Sequence, residues 1–177
     1  AKGLPLGKYT VTQIKAGTGF ALTADNVEPR EVEIAYAGQE VPVIYRDSSY
    51  ENPRQKVHVE IQKLDAEQNE PLAGAVFGLY AAEDITNYAG KTVVKAGTLI
   101  ATAETTADEV GDVQKAVFAS DLPLGQYYLK ELKAPMGYTT TEERIEVDAS
   151  YRDDQREVIE ISEAIKNYPV QVQLNVM

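Results

Sequence analysis

Short runs of apolar residues alternating with polar ones recur along this chain, and helical periodicity is nearly absent. Val57, Val59 and Ile61 alternate with His58, Glu60 and Gln62. That is the pattern of a strand with one buried face, because successive side chains point to opposite sides of a sheet. Runs rich in Val, Ile, Tyr and Thr, set between Gly, Pro and Asp turns, predict strands at 8–15, 31–37, 41–46, 56–63, 74–81, 97–104, 115–119, 126–133, 143–148, 156–166 and 170–176. Residues 82–95 read as a loop or a short helical turn. The expected class is all-β, a sandwich or a barrel.

The pattern also repeats. LPLGKYTVTQIKAGTGF (4–20) aligns without a gap to LPLGQYYLKELKAPMGY (122–138). Downstream, VPVIYRDSSYENP (41–53) takes the place of EVIEISEAIKNYP (157–169), and with a shift of one residue Asn52 pairs with Asn167. KVHVEIQK from 56 and VQVQLNVM from 170 then match as alternating strands. The expected organisation is the C-terminal part of a first module over 1–53, a complete module over 57–168, and the first strand of a further or swapped module over 170–177. A three-stranded partial module leaves sheet edges open, so another strand or another chain is expected to complete it, strand exchange being one route.

Three strands place a polar residue in the apolar phase. Lys63 follows Val57, Val59 and Ile61; Glu131 follows Tyr127 and Leu129; Asn167 follows Ile159, Ile161 and Ile165. A lysine at a strand end commonly reaches solvent, and Lys133 and Glu163 are in-phase competitors for the same role. As a set, however, the three have a shared chemistry. Burial drives an amine and a carboxyl toward their neutral forms. A neutral amine can attack the Asn carboxamide while the acid hydrogen-bonds that carbonyl and shuttles protons, so that ammonia leaves. The expected product is a Lys63–Asn167 isopeptide bond promoted by Glu131, formed once per molecule, with no turnover enzyme.

Composition narrows the picture further. The chain of 177 residues has no cysteine, so a covalent brace cannot be a disulfide. One histidine, His58, leaves little for a zinc site or a His-based triad, and no metal or cofactor is expected. The acidic stretches 65–70 and 104–112 match no calcium loop with a defined ligand order, and the eleven tyrosines, Tyr127, Tyr128 and Tyr138 among them, read as strand packing. A net charge of -11 without a basic cluster argues against nucleic acid and anionic lipid as partners. No apolar run is long enough to span a membrane.

These residues resemble a known family, the Cna B-type repeats of Gram-positive surface adhesins and pilins. The resemblance rests on VEIQKLD (59–65), PLAGAVFGLY (71–80), LPLGQYYLKELKAPMGY (122–138) and IKNYP (165–169), four motifs in order. It implies a transthyretin-like or inverse-immunoglobulin β-sandwich, an intramolecular isopeptide bond, and service as a stalk module outside the cell, on a bacterial wall. It implies Lys63 as nucleophile, Asn167 as acceptor and Glu131 as catalytic acid. Implied partners are neighbouring modules, with sortase-linked pilin subunits or host matrix as further candidates; a ligand-binding adhesin module is the alternative function. Tyr168-Pro169 is followed by Val170, so the Tyr-Pro-Lys pilin motif does not appear there. The first repeat departs from the family pattern, with Gln13 where Glu131 stands. An amide cannot donate and recover a proton as a carboxyl does, so Asn52 is expected to form no cross-link.

Overall fold

A computed structural model describes residues 2–87, 89–118 and 121–174. In chain order the elements are β1 (Gly7–Val11), α1 (Ala24–Val27), β2 (Arg30–Ile34), β3 (Lys56–Asp65) and β4 (Val76–Ala81). There follow β5 (Ile85–Thr86), β6 (Thr92–Val94), β7 (Leu99–Glu104), β8 (Thr106–Ala107) and β9 (Val113–Gln114). The last are β10 (Ala116–Val117), β11 (Gly125–Lys133), β12 (Ile145–Ala149) and β13 (Val158–Asn167). The protein is thus almost wholly β, as its alternation predicts. It divides into two compact units, Ala1–Arg54 with Asp153–Glu157, and Gln55–Arg152 with Val158–Met177.

In the first unit β1 pairs antiparallel with β2, setting Gly7 opposite Ile34 and Tyr9 opposite Val32. The turn α1 was not expected; Asn26 organises it, accepting from the Thr23 amide through Oδ1 at 2.7 Å and donating from Nδ2 to the Ala21 carbonyl at 3.2 Å. Among the described residues, only Ala16 and Ala21 of this unit's apolar side chains are buried. The strand predicted at 41–46 is absent, and Val41, Val43 and Tyr45 are exposed. Its counterpart in the other repeat, β13, is a strand because it hydrogen-bonds to β3; among the described residues, no strand of the first unit pairs with 41–46. Alternation alone cannot make a strand without a partner for its backbone N–H and C=O groups.

The second unit is built from two principal sheets. One has the order β10-β3-β13, the other β12-β11-β4-β7, and two short ribbons, β5/β6 and β8/β9, flank them. The ribbon β5/β6 occupies part of 82–95, where a loop or helical turn was expected. Every second residue of β3 from Val57 to Asp65 is buried. Val57, Val59 and Ile61 pack with Phe77 and Leu79 of β4, Tyr127 and Leu129 of β11, Val147 of β12 and Ile165 of β13 in one apolar core. The strand predicted at 170–176 is not formed over 170–174, where Val172 and Leu174 are exposed; residues 175–177 lie outside the described residues.

The sequence repeat is also a structural one. Tyr9 donates its hydroxyl to the Pro5 carbonyl at 2.7 Å, and Tyr127 donates to Pro123 at 2.5 Å. Strand β1 pairs with β2 as β11 pairs with β12, so that Tyr127 faces Val147 as Tyr9 faces Val32. Each segment ends in a turn closed by one hydrogen bond, Phe20 N to Gly17 O and Tyr138 N to Pro135 O. Gly19 and Gly137 occupy the third turn position at φ of 82° and 88°, a conformation that a side chain would strain.

Leu129 is fully buried at the centre of the second unit's core. Leu129→Ala should lower its unfolding free energy by about 2–5 kcal/mol, read from the denaturant midpoint; a change near zero would mean that no packed core surrounds it.

Candidate functional site

Long-range strand pairing assembles the site. Strands β3 and β13, the first and last of the second unit, run side by side in parallel, with Lys63 opposite Ile165 and Asp65 opposite Asn167. The apolar phase of β3 carries Lys63 into the core and that of β13 carries Asn167 there. Strand β11, in the facing sheet, brings Glu131 in the phase of Tyr127 and Leu129. Lys63, Glu131 and Asn167 are 1%, 8% and 2% exposed, so water does not compete for their polar atoms.

Lys63 Nζ donates to Asn167 Oδ1 at 2.5 Å and lies 3.4 Å from Glu131 Oε1. Asn167 Nδ2 donates to both Glu131 oxygens, at 2.8 and 2.9 Å. Glu131 Oε2 also accepts the Thr141 amide at 2.8 Å, and the ring of Phe77 lies 5.8 Å from Nζ. Burial holds the Lys63 amine below its ordinary pKa of 10.5, opposed by the pull of Glu131. The carboxamide presents its nitrogen to Glu131 and its oxygen to Lys63. A half turn about its Cβ–Cγ bond exchanges the two and sets the carbonyl against the acid. In either orientation an amine, an amide carbon and a proton carrier share one dry pocket, which suits amide exchange.

The first unit brings together the corresponding pair. Gln13 Nε2 donates to Asn52 Oδ1 at 2.9 Å and Asn52 Nδ2 donates to Gln13 Oε1 at 3.2 Å. Both side chains are only half-buried, and Asn52 Nδ2 also reaches the Ala21 carbonyl at 3.1 Å. Two carboxamides satisfy each other there, with neither a nucleophile nor an acid among these contacts. Of the in-phase competitors, Lys133 is exposed and Glu163 half-buried.

Asp65 and Tyr138 escaped the sequence reading. Tyr138, expected only to pack, donates its hydroxyl to Asp65 Oδ2 at 2.6 Å. Asp65 Oδ1 accepts the amides of Glu67 and Gln68 at 2.6 and 2.9 Å. The Tyr138 hydroxyl foremost, then these amides, holds the Asp65 carboxyl below the usual aspartate pKa. The missed signal was the buried phase itself, which runs on from Lys63 to Asp65. Among the described residues, no group of three or more His, Asp or Glu side chains could hold a metal ion, and no helix is long and apolar enough to cross a membrane.

Comparison with known proteins places the fold. The SpaA family, described as a prealbumin-like fold domain, matches residues 57–164. Among solved structures, the Bacillus anthracis TIE protein is similar at 26% identity and a TM-score of 0.57, over 94% of this chain and 26% of that one. The pilus 2b backbone protein of group B streptococcus aligns at 20% identity and a TM-score of 0.48, over 87% of this chain and 53% of that one. The chain therefore spans about a quarter and about half of these two proteins. No curated protein sequence matches the chain significantly.

The depressed Lys63 pKa fixes the sign of a pH effect. Between its folded value and 10.5 the unfolded chain binds more protons than the folded one, so this group's contribution to stability rises with pH across that window. Tyr127, pushed up from 10.0 to about 12 by burial, acts oppositely once pH passes 10. Asn167→Ala, which has no carboxamide to react, should therefore gain stability to urea as pH rises toward about 10, relative to the Asn167→Ala/Lys63→Met double variant. Equal pH dependence in the two would contradict a depressed Lys63.

Proposed function

The chain belongs to the family of SpaA prealbumin-like fold domains, and from that premise we propose that it is a structural stalk or shaft module of a bacterial cell-surface adhesin or pilus, braced by a Lys63–Asn167 isopeptide bond that Glu131 promotes. Its place is outside the cell, and its partners are neighbouring modules of the same protein. The observation that carries the reading is the contact of a fully buried lysine amine with both a carboxamide and a carboxyl. A buried lysine amine is costly unless it is paired or neutral, and amide formation removes that cost permanently.

The chemistry balances within the site. Glu131 takes a proton from the Lys63 ammonium, leaving a neutral amine. Nζ attacks Cγ of Asn167 while the acid hands its proton to the carbonyl oxygen. The proton shed by Nζ passes through Glu131 to Nδ2, the Cγ–Nδ2 bond breaks and ammonia leaves. As the carbonyl re-forms, its proton returns to Glu131. Folding supplies the proximity, and the neighbouring apolar core excludes the water that would solvate the charges.

The mechanical consequence follows from strand order. Tension applied at the ends of the second unit enters at Lys56 and leaves beyond Asn167, the start of β3 and the end of β13. A bond from Lys63 to Asn167 carries that load directly, and the residues between them drop out of the load path. The same bond closes a loop spanning 104 positions. By the chain-entropy estimate for cross-links, that restriction of the unfolded chain is worth about 4–5 kcal/mol.

Intact-mass measurement tests the proposal. The chain should weigh one ammonia, about 17 Da, less than its sequence, and Lys63→Met and Glu131→Gln should each restore the full mass. Glu131→Gln installs in the second unit the amide that Gln13 places in the first, at little change in volume. Full mass in the unaltered chain, or a cross-link that persists in Glu131→Gln, would refute the reading.

A further inference from the structure

Taking the cross-link reading above as its basis, we propose that the Tyr138–Asp65 hydrogen bond is the positioning device of this site, setting Glu131 and Asn167 against Lys63. Asp65 lies two residues beyond Lys63 on the same face of β3 and opposite Asn167 on β13. Both oxygens of its carboxylate are engaged, one by the amides of Glu67 and Gln68 and the other by the Tyr138 hydroxyl. It therefore serves as an anchor rather than as a second acid.

What it anchors is the turn that follows β11. Three residues beyond Tyr138, the Thr141 amide holds Glu131 Oε2 at 2.8 Å. The same turn grips the chain around Asn167: Thr139 N donates to Tyr168 O at 3.1 Å and Val170 N donates to Gly137 O at 2.8 Å. On its other side the Asn167 carbonyl accepts the Ala66 amide at 2.9 Å. One segment thus carries the supports of both the acid and the acceptor, and the Tyr138 hydroxyl ties that segment to the strand bearing the nucleophile. A misplacement of about 1 Å in such a site can cost a hundredfold in rate, which gives a small tether a large effect.

The internal repeat supplies an independent comparison. Phe20 stands where Tyr138 stands, in the same repeat in which Gln13 replaces Glu131. The backbone of that turn is nevertheless the same. Phe20 N donates to Gly17 O, Ala21 N donates to Pro53 O at 2.9 Å as Thr139 N donates to Tyr168 O, and Phe20 bridges Arg54 as Tyr138 bridges Pro169. The turn folds without the hydroxyl. The hydroxyl is present in the repeat that has the acid and missing from the repeat that lacks it.

The test follows ammonia loss with time after cell-free synthesis of the full chain, by intact mass, at several values from roughly pH 5 to 9. Tyr138→Phe and Asp65→Ala should each slow bond formation roughly tenfold at every pH, and the double variant should be no slower than either single one. Asp65→Asn, whose amide can still bridge the same groups, should react within about twofold of the unaltered chain. In a Lys63→Met background, which cannot cross-link, Tyr138→Phe should leave the chain folded, with its unfolding midpoint lowered by no more than the loss of one hydrogen bond. The proposal is overturned if Tyr138→Phe reacts at the unaltered rate, if its defect is confined to alkaline pH as for a proton donor, if Asp65→Asn is as slow as Asp65→Ala, or if Tyr138→Phe unfolds the Lys63→Met chain. Absence of ammonia loss from the unaltered chain would instead overturn the cross-link reading itself.

Discussion

The parallel pairing of β3 with β13 is the constraint on which the second unit depends. It joins the first and last strands of the unit, so it closes the fold, and its register decides which side chains meet. Because side chains alternate with period two, a slip of one residue would turn Asn167 out of the core and leave Lys63 buried without its amide partner. A parallel ladder is slightly weaker per residue than an antiparallel one. The polar contacts at its end therefore matter to register, since Lys63 and Asn167 satisfy each other only in the pairing observed.

The two repeats separate scaffold from chemistry. Both preserve the tyrosine bonded to a proline carbonyl four residues earlier, the antiparallel ladder and the glycine turn that closes the segment. They differ where the site is. Glu131 pairs with Asn167 in a dry core beneath Lys63, whereas Gln13 and Asn52 form a reciprocal amide pair in a half-buried position. Loss of the acid does not disturb the ladder, because an amide can replace a carboxyl as a hydrogen-bond partner without replacing it as a proton carrier. The backbone architecture is thus separable from the polar side chains it carries.

Much of this was legible in the chain. Alternation located the principal strands of the second unit, and the gapless repeat identified corresponding residues that the structure places in corresponding contacts. Polar residues in an apolar phase singled out Lys63, Glu131 and Asn167 because burying such groups is costly enough to demand partners. The same logic extended two residues further would have found Asp65. The strand expected at 41–46 failed for the opposite reason. Its pattern is as regular as that of β13, but a pattern describes one strand, and a strand exists only with a neighbour to take its backbone hydrogen bonds.

The sequence by itself determined the all-β class, the repeat, and the identity of three side chains that cannot remain buried alone. These are local properties, set by which face each residue occupies and by the cost of removing a polar group from water. Only the tertiary structure decided that Lys63 meets an amide 104 positions away, that Asp65 is held by Tyr138, and that 41–46 stays irregular. Each of those outcomes depends on which strands lie side by side and in what register. Strand adjacency is a property of the closed fold, and no single segment of the chain encodes it.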